Sequence, residues 1–168
     1  TSRFADRELV FRNLGFSGDE ITTRLRSDNF GSPDEWLAKC KADVIFAFFG
    51  YNESFAGEAG LPKFKQDLDS WIKHTLGQKY NGEGAPRLIL FSPIAHEDLD
   101  DVNQARGAEN NARLKLYTAA MAEVAAANSV PFIDLFTPTS EGYASDAKPW
   151  TFNGIHLTEY GDQRLAPP

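Results

Sequence analysis

The chain has 168 residues, 42% of them hydrophobic and 24% charged, which fits one globular domain large enough to bury a core. Its 24 acidic against 17 basic side chains give a formal charge of −7, a balance that repels phosphate backbones and argues against a nucleic-acid partner. No apolar run is long enough for a membrane-spanning helix, and a single cysteine, Cys40, excludes an internal disulfide.

In chain order, residues 9–14 (LVFRNL) form a short apolar run that predicts a first strand, followed by the turn signal Gly15-Phe-Ser17-Gly18-Asp19. Residues 19–26 and 33–40 predict helices, the second with Ser32 at the N-cap and Pro33 in the first turn. Residues 43–49 (DVIFAFF) are the most apolar stretch and predict a strand buried on both faces. A helix follows, with Phe64, Leu68, Trp71, Ile72 and Thr75 on one face. Residues 87–93 predict another strand, stopped by Pro93. Residues 109–128 predict a helix with Leu114, Tyr117, Met121 and Val124 in one stripe. A fourth strand is predicted at 131–136, loop from Thr137 to Thr158, and a last helix from about Thr158–Tyr160.

Strands alternating with helices imply a three-layer α/β/α fold on a parallel sheet, flavodoxin-like in topology. Ligands in such sheets bind at the carboxyl ends of the strands, so chemistry is sought at 15–19, 50–55, 92–97 and beyond Phe136. Three strings stand there: Asn13-Leu-Gly-Phe-Ser17-Gly18-Asp19, Gly50-Tyr-Asn52-Glu-Ser54-Phe, and Asn153-Gly-Ile-His156-Leu-Thr-Glu-Tyr-Gly161. Singly, Gly18 reads as a tight turn, Asn52 as a loop cap and His156 equally as a surface histidine or a base.

Together and in this order, these strings resemble the SGNH (GDSL-type) hydrolases, in particular GDSL-like lipase/esterase domains of large bacterial proteins, over nearly the whole chain. The resemblance implies that Gly18 and Asn52 form an oxyanion hole and that His156 is the catalytic base, with Asn153 orienting it where the family usually carries Asp. It implies hydrolysis of a carboxylic ester or a carbohydrate O-acetyl ester through an acyl-serine, with a small-molecule or carbohydrate ester as partner and no cofactor. The family's serine block has no counterpart among residues 1–168, and Ser17 and Ser54 read as turn or cap hydroxyls. The expectation is a single domain over 1–168, part of a longer polypeptide that supplies the first strand, the nucleophile and a further C-terminal stretch. Other domains and an exported or periplasmic location stay open, as does a non-catalytic SGNH-scaffold module that binds without turnover.

Among the remaining candidates, His96 just after the 87–93 strand reads equally as a substrate contact or as a loop histidine, and Ser54 beside Asn52, read first as a turn or cap hydroxyl, is the other candidate substrate contact. His74 reads as solvated, Asp134 as a turn and helix-dipole residue, and Asp146 and Glu141 as surface carboxylates. The three histidines and scattered carboxylates lack metal-ligand spacing, so no metal is expected, and no GxGxxG marks a dinucleotide site.

Overall fold

In the computed structural model, residues 6, 8–24, 29–99, 101, 103 and 106–166 are described. Ser32 opens helix α1 (Pro33–Lys39) with a capping box: its hydroxyl accepts from the Glu35 N–H, and the Glu35 carboxylate accepts from the Ser32 N–H. Then come β1 (Val44–Phe48), two short 3-10 turns (Glu53–Ala56 and Glu58–Gly60), α2 (Leu61–Leu76), β2 (Arg87–Phe91), α3 (Gly107–Ala127), β3 (Phe132–Ile133), α4 (Phe136–Ser145) and α5 (Glu159–Leu165). The strands form a parallel sheet in the order β1-β2-β3, with Val44 opposite Arg87 and Leu90 opposite Phe132. The chain is therefore an α/β protein.

The main core lies between one face of this sheet and helices α2 and α3. Ile45, Ala47, Leu88 and Leu90 meet Phe64, Leu68 and Ile72 of α2 and Tyr117, Met121 and Val124 of α3. The apolar stripes read from the two helical periodicities are those that become buried; Trp71, at the margin of the stripe, stays partly accessible. No helix among the described residues is long and apolar enough to cross a membrane.

Four readings of the sequence change. Among the described residues, 9–14 are in no strand, and Leu9, Val10 and Phe11 are exposed; an apolar run becomes a strand only when a neighbouring strand takes its backbone groups. The helix predicted at 19–26 does not form over 19–24, while 25–26 lie outside the described residues. There the Glu20 N–H bonds forward to the Thr23 carbonyl, the reverse of an α-helical ladder, and the Ile21 N–H is taken by the Glu53 carboxylate. The 44–48 strand is not buried on both faces: Ile45 and Ala47 are inside, while Val44, Phe46 and Phe48 are exposed, the two phenylalanines packing on Phe91.

The strand at 131–136 is cut to two residues because Asp134 starts a helix inside the predicted loop. Its carboxylate accepts from the Thr137 N–H (3.0 Å) and hydroxyl (2.6 Å), and the Ser92 hydroxyl oxygen accepts from the N–H groups of Leu135 and Phe136. His74 is half-exposed and paired with Asp34 at 2.7 Å.

Candidate active site

Strand β1 runs into Gly50, whose φ of +100° and close packing against Pro93 and Met121 suit glycine alone. Asn52 follows at the carboxyl edge of the sheet and donates its side-chain N–H to the Asp19 carbonyl at 3.1 Å. That carbonyl can only accept, so the Asn52 amide presents nitrogen, not oxygen, to the 18–19 turn, and it carries a second N–H. Gly18, half-buried, turns the chain there with φ +81°. Gly18 and Asn52 are thus brought to neighbouring positions from loops 33 residues apart.

The strap between the two loops is Glu53, a residue the sequence reading passed over. Its carboxylate accepts from the Ile21 N–H at 2.9 Å and the Gly50 N–H at 2.8 Å. Burial pushes its pKa up, against the pull of those N–H groups. Ser54 is 3% exposed and its hydroxyl donates to the Tyr51 carbonyl at 2.6 Å, so the turn itself uses it. Ser17 is exposed in the 17–18 turn.

The second half of the site follows β2 and lies in the loop before α5. Thr151 and Leu157 form an antiparallel bridge, and between them Asn153, Gly154 and His156 form a tight turn. The Asn153 side-chain oxygen accepts from the backbone N–H groups of Ile155 (3.3 Å) and His156 (3.0 Å) and lies 3.0 Å from His156 Nδ1. Backbone N–H groups only donate, which identifies that atom as oxygen; Nδ1 must therefore carry the proton. The lone pair of the imidazole is left on Nε2. The His156 ring is exposed and stacked on Phe152, with 5.6 Å between centroids and 17° between planes.

His96 and Glu97 sit beneath this turn. His96, 6% exposed, has Nδ1 at 2.8 Å from the Asn110 side-chain amide, whose oxygen accepts from Arg113. Arginine cannot accept, so Asn110 turns its NH2 to the ring, and His96 is neutral with its proton on Nε2. That nitrogen has no hydrogen-bond partner and faces Gly154, where a Cβ would lie 2.6 Å from it. Burial lowers the His96 pKa, with Asp98 acting weakly the other way. The unfolded chain then binds more protons below the usual value of about 6.5, and stability falls as pH drops from there toward the folded value. His96→Gln is expected to flatten that acid limb by up to about 1.4 kcal/mol per pH unit, measured as urea unfolding against pH. An unchanged slope would show that His96 is not held neutral.

Asp146 is a hub, not a bare surface carboxylate: it accepts from the Tyr160 hydroxyl (2.5 Å) and the Trp150 indole (3.2 Å), fastening α5 to the His156 loop. The Tyr160 bond, with the Lys148 N–H and the indole, holds its pKa below the usual range.

Since β1 and β2 are adjacent and parallel, Asn52 after β1 and the His96–Glu97 segment after β2, on which the His156 turn rests, leave the same edge of the sheet. Among the described residues no hydrogen bond joins His156 to Gly18 or Asn52; Tyr51, beside Asn52, packs against the small apolar cluster of Ala95, Leu114 and Phe136. Two open depressions of about 620 and 540 Å3 flank the His156 loop, and neither is lined by Gly18, Asn52 or His156. No group of three or more His, Cys, Asp or Glu among the described residues is placed to hold a metal.

The sequence model of the GDSL-like Lipase/Acylhydrolase family matches residues 1–164. Among solved structures, the chain is similar to an alpha/beta hydrolase enzyme from the metagenome of Lake Arreo, Spain, with TM-score 0.66 and 18% identity over 98% of this chain and 72% of that one. It is similar to the aryl esterase of M. smegmatis (TM-score 0.60, 18% identity, 96% of this chain and 75% of that one) and to a carbohydrate acetylesterase from Sinorhizobium meliloti (TM-score 0.57, 17% identity, 90% and 71%). Two further solved relatives are covered over only 56% of their own length. A comparison with curated proteins gives no match.

Proposed function

Because the chain belongs to the GDSL-like lipase/acylhydrolase family, we propose that it forms most of the active site of a serine ester hydrolase, with His156 as general base and Gly18 and Asn52 as oxyanion donors. The observation that carries this reading is the Asn153–His156 bond. It fixes the proton on Nδ1 and leaves Nε2 as the lone pair that can take a proton from a hydroxyl nucleophile. As that oxygen attacks the acyl carbon, negative charge moves to the carbonyl oxygen, where the Gly18 N–H and the second Asn52 N–H stabilise it. Collapse expels the alcohol with the proton from His156, and water repeats the cycle on the acyl-enzyme.

The nucleophile, on this reading, is a serine at the carboxyl end of a strand that lies outside residues 1–168 and pairs with the outer edge of β1. Among the described residues that edge is unpaired, and Phe46 and Phe48 beside it are 54% and 60% exposed, although parallel sheets are ordinarily covered. The domain is then one part of a longer polypeptide. Aryl esters and carbohydrate acetyl esters are the substrate classes to try, since similar folds carry both names.

One observation favours the second reading, a scaffold that binds without turnover: Asn153 is neutral, so the imidazolium formed during attack gains less than it would from a carboxylate. The test is to treat the full-length protein with a fluorophosphonate and to assay an aryl acetate beside an acetylated xylo-oligosaccharide. Covalent labelling with turnover of either ester supports the hydrolase. Neither label nor turnover rejects it in favour of the scaffold.

A further inference from the structure

We propose that Glu97 is a positioning residue that clamps the His156 loop to the end of β2 in the geometry needed for proton transfer; the role rests on the hydrolase reading above. Glu97 is 7% exposed, and its carboxylate is met by donors from one short segment. One oxygen accepts from the Trp150 N–H at 3.0 Å, the other from the Thr151 N–H at 2.7 Å and the Thr151 hydroxyl at 2.6 Å. The Glu97 N–H in turn donates to the Gly154 carbonyl at 2.9 Å.

The Thr151 hydroxyl gives its only proton to Glu97, and its oxygen accepts from the Gly154 N–H at 3.0 Å. Both polar backbone groups of Gly154 are therefore tied to Glu97, one directly and one through Thr151. Gly154 follows Asn153, the acceptor for the His156 ring, and has φ +86°. The His96 ring fills the space beneath it, so the turn is held by hydrogen bonds from one side and by contact from below. On the outer side the Phe152 N–H closes onto the His156 carbonyl at 3.1 Å.

Only a carboxylate satisfies this set. Its two oxygens accept three donors, and charge-assisted bonds of this kind are short and strong. Glutamine offers one oxygen and turns an NH2 toward a segment made of donors, leaving buried N–H groups without acceptors. The loop then relaxes, and the Nδ1–H bond to Asn153 is the contact it carries. An imidazole released into water prefers its proton on Nε2, the nitrogen that must be bare for base catalysis. Because the effect reaches the reaction through His156 and not through the ester, it falls on kcat and not on KM.

The experiment compares full-length wild type with Glu97→Gln and Thr151→Val, reading the His156 tautomer by 15N NMR of histidine-labelled protein and the kinetics with an aryl acetate. Wild type is expected to show the Nδ1–H form. In Glu97→Gln the Nε2–H form grows in and kcat drops on the order of 100-fold with KM unchanged. Thr151→Val, which removes the relay while keeping the shape, shows the same shift to a smaller extent and decides the matter should Glu97→Gln fail to fold. An Nδ1–H signal and a kcat both untouched in the variants overturn the proposal. If wild type turns over no ester, the hydrolase reading falls, and the tautomer comparison still decides whether Glu97 sets His156.

Discussion

His156→Ala is expected to lower kcat for ester cleavage on the order of 10^4-fold or more, with the folded protein otherwise intact. The ring is exposed, and its contacts are one hydrogen bond to Asn153 and a stack on Phe152, so its removal costs little stability. Its chemical loss is large because no other described group offers a neutral imidazole lone pair at this edge. His96 is buried, accepts at Nδ1 from Asn110 and turns Nε2 to Gly154, and His74 is engaged with Asp34. Residual rate would come from the oxyanion donors and binding alone. The check is kcat on an aryl acetate with a thermal melt as control: a melt within a few degrees of wild type and a kcat within tenfold of it would remove His156 from the mechanism.

Asn52→Ala is the second large effect, with kcat expected to fall about 10²–10³-fold, or roughly 2.7–4 kcal/mol of transition-state stabilisation. KM is expected to move little, since the donor matters most when charge has developed on the carbonyl oxygen. The loops stay joined without it, because the Glu53 carboxylate still takes the Ile21 and Gly50 N–H groups; what goes structurally is one bond to the Asp19 carbonyl, worth about 1 kcal/mol. Kinetics and urea denaturation on the same sample separate the two contributions. A variant that loses stability while keeping kcat would make Asn52 a loop strap and nothing more.

Some of this protein could be read directly from its residues. The stripe Leu114, Tyr117, Met121 and Val124, and the face Phe64, Leu68, Ile72 and Thr75, follow from the 3.6-residue period, and both are buried. Ser32 with Glu35, and Thr158 before α5, announce helix starts through local side-chain-to-backbone bonds. Gly18, Asn52, Asn153 and His156 stood out through the order of their strings and the resemblance these carry, and the Asn153–His156 bond spans only three residues.

What the sequence could not decide depends on partners far along the chain. Phe46 and Phe48 look the same as Ile45 in an unbroken apolar run, and only the helices packed on one side of the sheet determine which alternate residues are buried. Residues 9–14 have a strand's composition and, among the described residues, form no strand. Asp134 reads as a turn and helix-dipole residue, but where α4 begins shows only once its carboxylate takes the Thr137 N–H and hydroxyl and Ser92 takes the N–H groups before it. Glu53 and Glu97 carry no motif, since the bonds of their carboxylates reach up to 32 and 54 residues away. A carboxylate's acceptor capacity is visible in sequence; the N–H groups that come to fill it are set by tertiary structure, because backbone donors are identical at every position and only the fold brings particular ones within 3 Å.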